Sequence, residues 1–95
     1  MGFWESRRQE RAAEFAEVEQ AVEVARRVLA EVSWQLSAER VEETELLLEG
    51  NEPDTAMIGV AEDLCALPGG VPAHIAATIR SVVGHDPSLP PGFPR

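Results

Sequence analysis

A length of 95 residues and a hydrophobic fraction of 44% predict a single globular domain over residues 1–95, too small for a second domain or a large substrate cavity. The formal charge of −9 argues against nucleic-acid binding, which needs clustered cations, and suits a basic protein partner. One cysteine excludes an internal disulfide. With no signal-peptide pattern and no apolar run of membrane-spanning length, a cytoplasmic location is expected.

The first third of the chain predicts one long helix. We expect it over about residues 5–34, after a short N-terminal arm, residues 1–4. Its apolar stripe either packs inside the domain or forms the seam of a homodimer, so both a monomer and a homodimer stay open. The stripe follows heptad spacing, with steps of three and four residues: Phe15, Val18, Val22, Ala25, Leu29, Val32 and Leu36.

The N-terminal arm also carries a short lipidation-like pattern. Gly2 and Ser6 match the bare myristoylation motif, and an arginine cluster follows. Because so short a pattern matches often by chance, we predict no membrane attachment.

Two shorter helices follow on either side of a turn. Ser37 suits the N-terminal cap of a second helix over about residues 38–49, and Gly50 suits a left-handed residue at its end. Pro53 suits the first position of a third helix, where its missing N–H is not needed. The buried stripe expected on that third helix is Ala56, Met57, Val60, Ala61, Leu64 and Leu67.

A fourth helix is predicted over about residues 72–83, after the breaker at residues 68–70 and before Gly84. His74 and Arg80 on this helix are expected to be solvated. Residues 85–95 form a proline-rich tail that cannot be helical, and we expect it to pack back on the domain or to stay loose. The predicted fold class is therefore all-α: a four-helix domain with one long N-terminal helix, three shorter helices and a Pro-rich C-terminal tail.

The charge is most one-sided between Glu39 and Asp63, where nine carboxylates face one cation, Arg40. Those at positions 42, 45 and 49 are three and four residues apart, which places them on one face of a helix. Two more extend this row across the turn. We predict that this row binds a cationic protein, the alternative being that it only keeps the chain soluble. The row is Glu42, Glu45, Glu49, Glu52 and Asp54.

The sequence contains no catalytic constellation, so we predict a protein that is not an enzyme and that has no cofactor or metal. Cys65 has no second cysteine and no histidine near it in the chain, which predicts a buried, inert thiol. All eight cations are arginine. Some are expected to tie helices together through planar pairs with carboxylates, although codon usage in a GC-rich genome is an alternative explanation.

Residues 38–90 resemble the MafI-like small immunity proteins of bacterial polymorphic toxin systems. The resemblance lies in three leucines before Gly50, then Glu52-Pro53, Ala56, and the apolar pairs that follow, Val60-Ala61 and Leu64-Cys65. Asn51 makes the spacing between the glycine and the acidic residue wider than in that family. The resemblance implies a cytoplasmic antitoxin that binds a cognate toxin domain and blocks it. It carries over no individual functional residue. The competing class is a structural or regulatory helical module that self-associates through its first helix.

Overall fold

The computed structural model describes the backbone of residues 2–94 and the side chains of residues 17–94. Within those residues it contains four α-helices and no strand: α1 (Gly2–Val32), α2 (Ala38–Glu49), α3 (Pro53–Cys65) and α4 (Ala73–Val83). The predicted all-α class, with one long helix followed by three shorter ones, is confirmed. No helix in the described part of the chain is both long enough and apolar enough to cross a bilayer.

The helix ends differ from the predicted ones at three places. The first helix begins at Gly2, so residues 2–4 of the predicted arm are helical, which fits a stretch with no proline and no glycine after position 2. It ends at Val32, and residues Ser33–Gln35 form a separate 3-10 turn before α2. Pro72 is extended and caps α4 rather than beginning it, because its carbonyl accepts the N–H of Ala76 at 2.9 Å.

The core is organised around α3, which contacts the three other helices. Seven α3 residues are buried, among them Leu64, which is fully excluded from solvent. The stripe of α1 is buried inside the same molecule from Val22 to Val32. Val18 and Leu36 are half-buried against this core, and Phe15 lies outside the described side chains.

The end of α2 corrects one detail of the prediction. Gly50 has an ordinary negative φ of −81°, and Asn51 is the left-handed residue, with φ of 59°. The Asn51 N–H donates to the Leu48 carbonyl at 3.1 Å, and the Glu52 N–H donates to the Leu47 carbonyl at 2.9 Å. This is the Schellman arrangement, in which the left-handed residue stands one position beyond the cap. A glycine is therefore not required at position 50, where a Cβ would make only ordinary contacts.

The C-terminal tail packs on α4. Phe93 is buried, and the Arg80 guanidinium lies over its ring, 5.0 Å from the centroid. Arg80 Nε and Nη2 also donate to the Pro94 carbonyl at 3.1 and 2.7 Å. The prediction that Arg80 is solvated is therefore wrong: it is half-buried and holds the tail. The expected packing of the tail is confirmed at Phe93 and, half-buried, at Leu89.

Candidate functional site

The five carboxylates of the predicted row are all exposed. On α2, Thr44 and Leu48 are the buried residues, so Glu42, Glu45 and Glu49 lie away from the core. The buried Thr44 hydroxyl donates to the Arg40 carbonyl, which leaves it satisfied and fixes that side of the helix inward. The predicted placement of these three residues together on one face of α2 is therefore confirmed.

An exposed leucine lies within this acidic face. Leu46 is 61% exposed and stands one helical turn from both Glu42 and Glu49. Among the described residues, only Leu46 and Trp34 are large apolar side chains with such exposure. Leu46 is absent from the row of site residues predicted from the sequence. A helical wheel would have shown it, because Leu46 falls on the side opposite Thr44 and Leu48. We call the surface formed by Glu42, Glu45, Leu46 and Glu49 the α2 face.

Arg40, the one cation of the acidic segment, forms an ion pair between two helices of the fold. Its Nε donates to Asp63 Oδ2 at 2.8 Å and its Nη2 to Asp63 Oδ1 at 3.3 Å, which links α2 to α3. This hydrogen bonding with Asp63 raises the pKa of Arg40 above its ordinary value. Glu43 lies 3.4 Å from Nη1 of the same guanidinium. Apart from Asp63, the eight carboxylates of the segment from Glu39 to Asp63, Glu43 included, are exposed. Arg40 is the only cation in that segment.

A glycine of α3 makes room for this arginine. A Cβ at Gly59 would lie 2.5 Å from Arg40 Nη1, closer than two such atoms can approach. Gly59 is buried in the middle of a helix, where alanine is normally preferred by up to about 1 kcal/mol. The guanidinium therefore lies against the helix backbone because the side chain there is absent.

Because Gly59 leaves space for the Arg40 guanidinium, substitutions at positions 40 and 59 should have coupled effects on the free energy of unfolding. In the Arg40→Ala background, Gly59→Ala should stabilise the protein through helix propensity. In the natural background, the same change should stabilise it less or destabilise it, because the guanidinium is displaced from Asp63. Chemical denaturation of the two single variants and the double variant gives the coupling energy, for which we expect about 0.5 kcal/mol or more. Additive effects would show that the guanidinium does not occupy the space over Gly59.

The turn between α2 and α3 meets α1 at an open groove of about 580 Å³. Residues 51–55 line one side, and Glu17, Val18 and Ala21 of α1 line the other. Glu52 and Asp54, which the sequence predicts only as an extension of the row on α2, thus belong to a groove shared with α1. The groove joins segments at least thirty residues apart, so the local pattern that found the row gave no signal for Glu17.

Cys65 lies near the tail and is half-buried rather than fully buried. A Cβ built on Gly92 would lie 4.0 Å from the Cys65 Cβ, so the docked tail covers one side of the residue. Desolvation by this burial raises the pKa of the Cys65 thiol. Among the described residues, no three His, Cys, Asp or Glu side chains are grouped closely enough to hold a metal ion.

The raised pKa predicts slow labelling of Cys65. At pH 8 the thiolate fraction should be below that of a free cysteine, and the rate should still be rising at higher pH. We expect an uncharged disulfide reagent to react slowly with the folded protein and rapidly after denaturation. Labelling of the folded protein as fast as that of the unfolded chain would contradict the burial of the thiol.

The chain matches no family model, no curated protein and no solved structure.

Proposed function

We propose that this protein is a small acidic binding protein that uses the α2 face, Glu52 and Asp54 to bind a cationic partner. The observation that carries the proposal is the α2 face itself. It combines exposed carboxylates with one exposed leucine, while the buried side of the helix already accounts for its core contacts.

The two kinds of residue on this face have different roles in binding. The carboxylates attract a cationic surface over a distance and raise the association rate, but each exposed pair adds only about 0.2–1 kcal/mol. An apolar side chain that becomes fully buried at the centre of an interface contributes more, and a ring of polar residues around it excludes water. Leu46 with its flanking glutamates has this arrangement. The face is also held firmly, because the Arg40–Asp63 pair and the Schellman turn tie α2 to α3.

The partner that we propose is a toxin domain with a cationic cleft, which this protein fills and blocks as an immunity protein of the MafI-like kind. This role rests on the resemblance over residues 38–90 together with the acidic face. It involves no catalysis, and it places the protein in the cytoplasm, where such antitoxins meet their toxins. Self-association through α1, the alternative, gains no support from the stripe between Val22 and Val32, because that stretch is buried within one molecule.

The proposal is tested by protection in cells. The adjacent reading frame is expected to encode a large secreted protein with a C-terminal toxin domain. That domain should arrest growth when it is expressed alone, and co-expression of the present protein should restore growth. A variant with the charges of the α2 face reversed carries Glu42→Lys, Glu45→Lys and Glu49→Lys, and it should protect poorly. If the natural protein neither binds nor protects against the adjacent domain, the immunity role is wrong.

A further inference from the structure

We propose that the C-terminal tail is a strap that opens as a unit while the four helices stay folded, and that Arg80 is the latch that holds it closed. In the closed state, Phe93 packs into the hydrophobic core and the tail shelters Cys65. In the open state, the site of Phe93 and the thiol of Cys65 both face solvent. The strap involves α4 and the tail rather than the α2 face, so it goes beyond the proposed binding role.

The tail is attached to the helices at few points. Phe93 is the one buried residue among residues 85–94, and Leu89 is half-buried against the core. Within the described part of the chain, the hydrogen bonds between the tail and the helices both come from Arg80 and both end on the Pro94 carbonyl. The backbone hydrogen bonds of the tail join residues three apart within the tail itself. The position of the tail therefore depends mainly on one aromatic ring and one guanidinium.

Arg80 takes part in both of these attachments. Its guanidinium lies 5.0 Å from the centroid of the Phe93 ring, and its Nε and Nη2 donate to the Pro94 carbonyl at 3.1 and 2.7 Å. Hydrogen bonds from a charged donor are stronger than neutral ones, and a cation over an aromatic ring adds a further attraction. Because a single side chain makes both contacts, its loss should loosen Phe93 and Pro94 together.

The composition of the tail favours movement as one stiff piece. Four of the ten residues from 85 to 94 are proline, whose ring fixes φ and which has no N–H to donate. The tail leaves α4 through Gly84, whose φ of 64° and ψ of −139° form a conformation that residues with a side chain rarely adopt. A glycine followed by a stiff segment can act as a pivot, so the tail can swing away without unwinding α4.

The space beneath the tail is only partly filled. An open cleft of about 610 Å³ is lined by Arg80 and by residues of the tail, from His85 to Phe93. The tail therefore arches over this part of α4 instead of packing along it, and its opening breaks few contacts apart from those of Arg80, Leu89 and Phe93.

Cys65 reports on the opening because it lies beside the docked tail. A Cβ built on Gly92 would lie 4.0 Å from the Cys65 Cβ. Burial raises the pKa of the Cys65 thiol, so shielding and a reduced thiolate fraction both slow its reaction while the tail is closed. Cys65 is the only cysteine of the chain, so a thiol reagent measures this position alone.

The experiment measures how fast dithiodipyridine, an uncharged disulfide, reacts with Cys65 in the folded full chain. The latch variant is Arg80→Ala, and the ring variant is Phe93→Ala. The control is Arg26→Ala, which removes the same side chain from an exposed position on α1 that forms no ion pair among the described residues. Each rate is measured without urea and at several urea concentrations below the unfolding transition, and circular dichroism follows the helices.

We expect the latch and ring variants to react about tenfold faster or more, because each loses a main attachment of the tail, with the helical signal retained. The control should change the rate by less than about twofold. For the natural protein the rate should depend only weakly on urea below the transition, since opening the tail exposes much less surface than global unfolding does.

Three results would each overturn the strap. The first is a latch or ring variant that reacts no faster than the control. The second is a rate for the natural protein that rises steeply with urea from the lowest concentration, because Cys65 would then react only through global unfolding. The third is loss of the helical signal in the latch or ring variant, which would show that the tail and the helices do not separate.

Discussion

Replacing Leu64 with alanine is expected to lower the free energy of unfolding by about 2–5 kcal/mol. Leu64 has no solvent exposure and belongs to α3, which contacts the three other helices. Its truncation therefore removes buried methyl groups and leaves a cavity that several elements would have to move to fill. Leu29 of α1 is also buried, at 6% exposure, and its replacement by alanine should cost an amount in the same range.

Leu46→Ala is the matched control, since the same atoms are removed from a side chain that is 61% exposed. It should change the free energy of unfolding by no more than about 0.5 kcal/mol. Urea denaturation followed by circular dichroism measures all three variants. If Leu64→Ala does not fold, Ile79→Val tests the same core at a lower cost of about 0.5–1.5 kcal/mol. A loss below about 1 kcal/mol at both Leu64 and Leu29 would contradict the described core.

The helices could be predicted because their signals are local. Apolar spacing of three and four residues marks the buried side of each helix, and Ser37, Pro53 and Gly84 mark ends through their own backbone or side-chain chemistry. The Ser37 hydroxyl indeed accepts the Arg40 N–H at 3.1 Å. The left-handed position at the end of α2 was misplaced by one residue, because glycine and asparagine both suit that conformation and stand side by side.

Contacts between distant segments could not be predicted in the same way. Arg80 holds the tail through a carbonyl fourteen residues away and through the Phe93 ring, and no spacing rule connects these residues. The pairing of Arg40 with Asp63 was expected only in general terms, as arginines that tie helices together. The groove between α1 and the α2–α3 turn likewise depends on how α1 lies against α3. The shared exposed face of Glu42, Glu45 and Glu49, by contrast, followed from their helical spacing.

Reversing the charges on the α2 face is expected to produce the largest change in binding. With Glu42→Lys, Glu45→Lys and Glu49→Lys, the face that attracts a cationic partner would repel it. Electrostatic steering can raise association rates by a factor of ten to a thousand. We therefore expect the association rate to fall by at least about tenfold at low salt, with a smaller effect on the fold, because all three side chains are exposed.

A second triple variant separates local charge from net charge. Glu19→Lys, Glu23→Lys and Glu31→Lys reverse three exposed carboxylates of α1 outside the α2 face. The net charge changes by the same amount in both variants, so a difference between them must come from where the charges lie. We expect this α1 variant to slow association much less than the α2 variant does.

The most direct test of the α2 face as the binding surface is the association rate measured by stopped flow against the adjacent toxin domain. The rate is followed from about 0.01 M to 1 M NaCl, over which the Debye length falls from about 30 Å to about 3 Å. We predict a steep fall in the rate with salt for the natural protein and for the α1 variant, and a low rate that no longer falls with salt for the α2 variant. An association rate and a salt dependence that the α2 variant leaves unchanged, while circular dichroism shows its fold intact, would contradict the proposal.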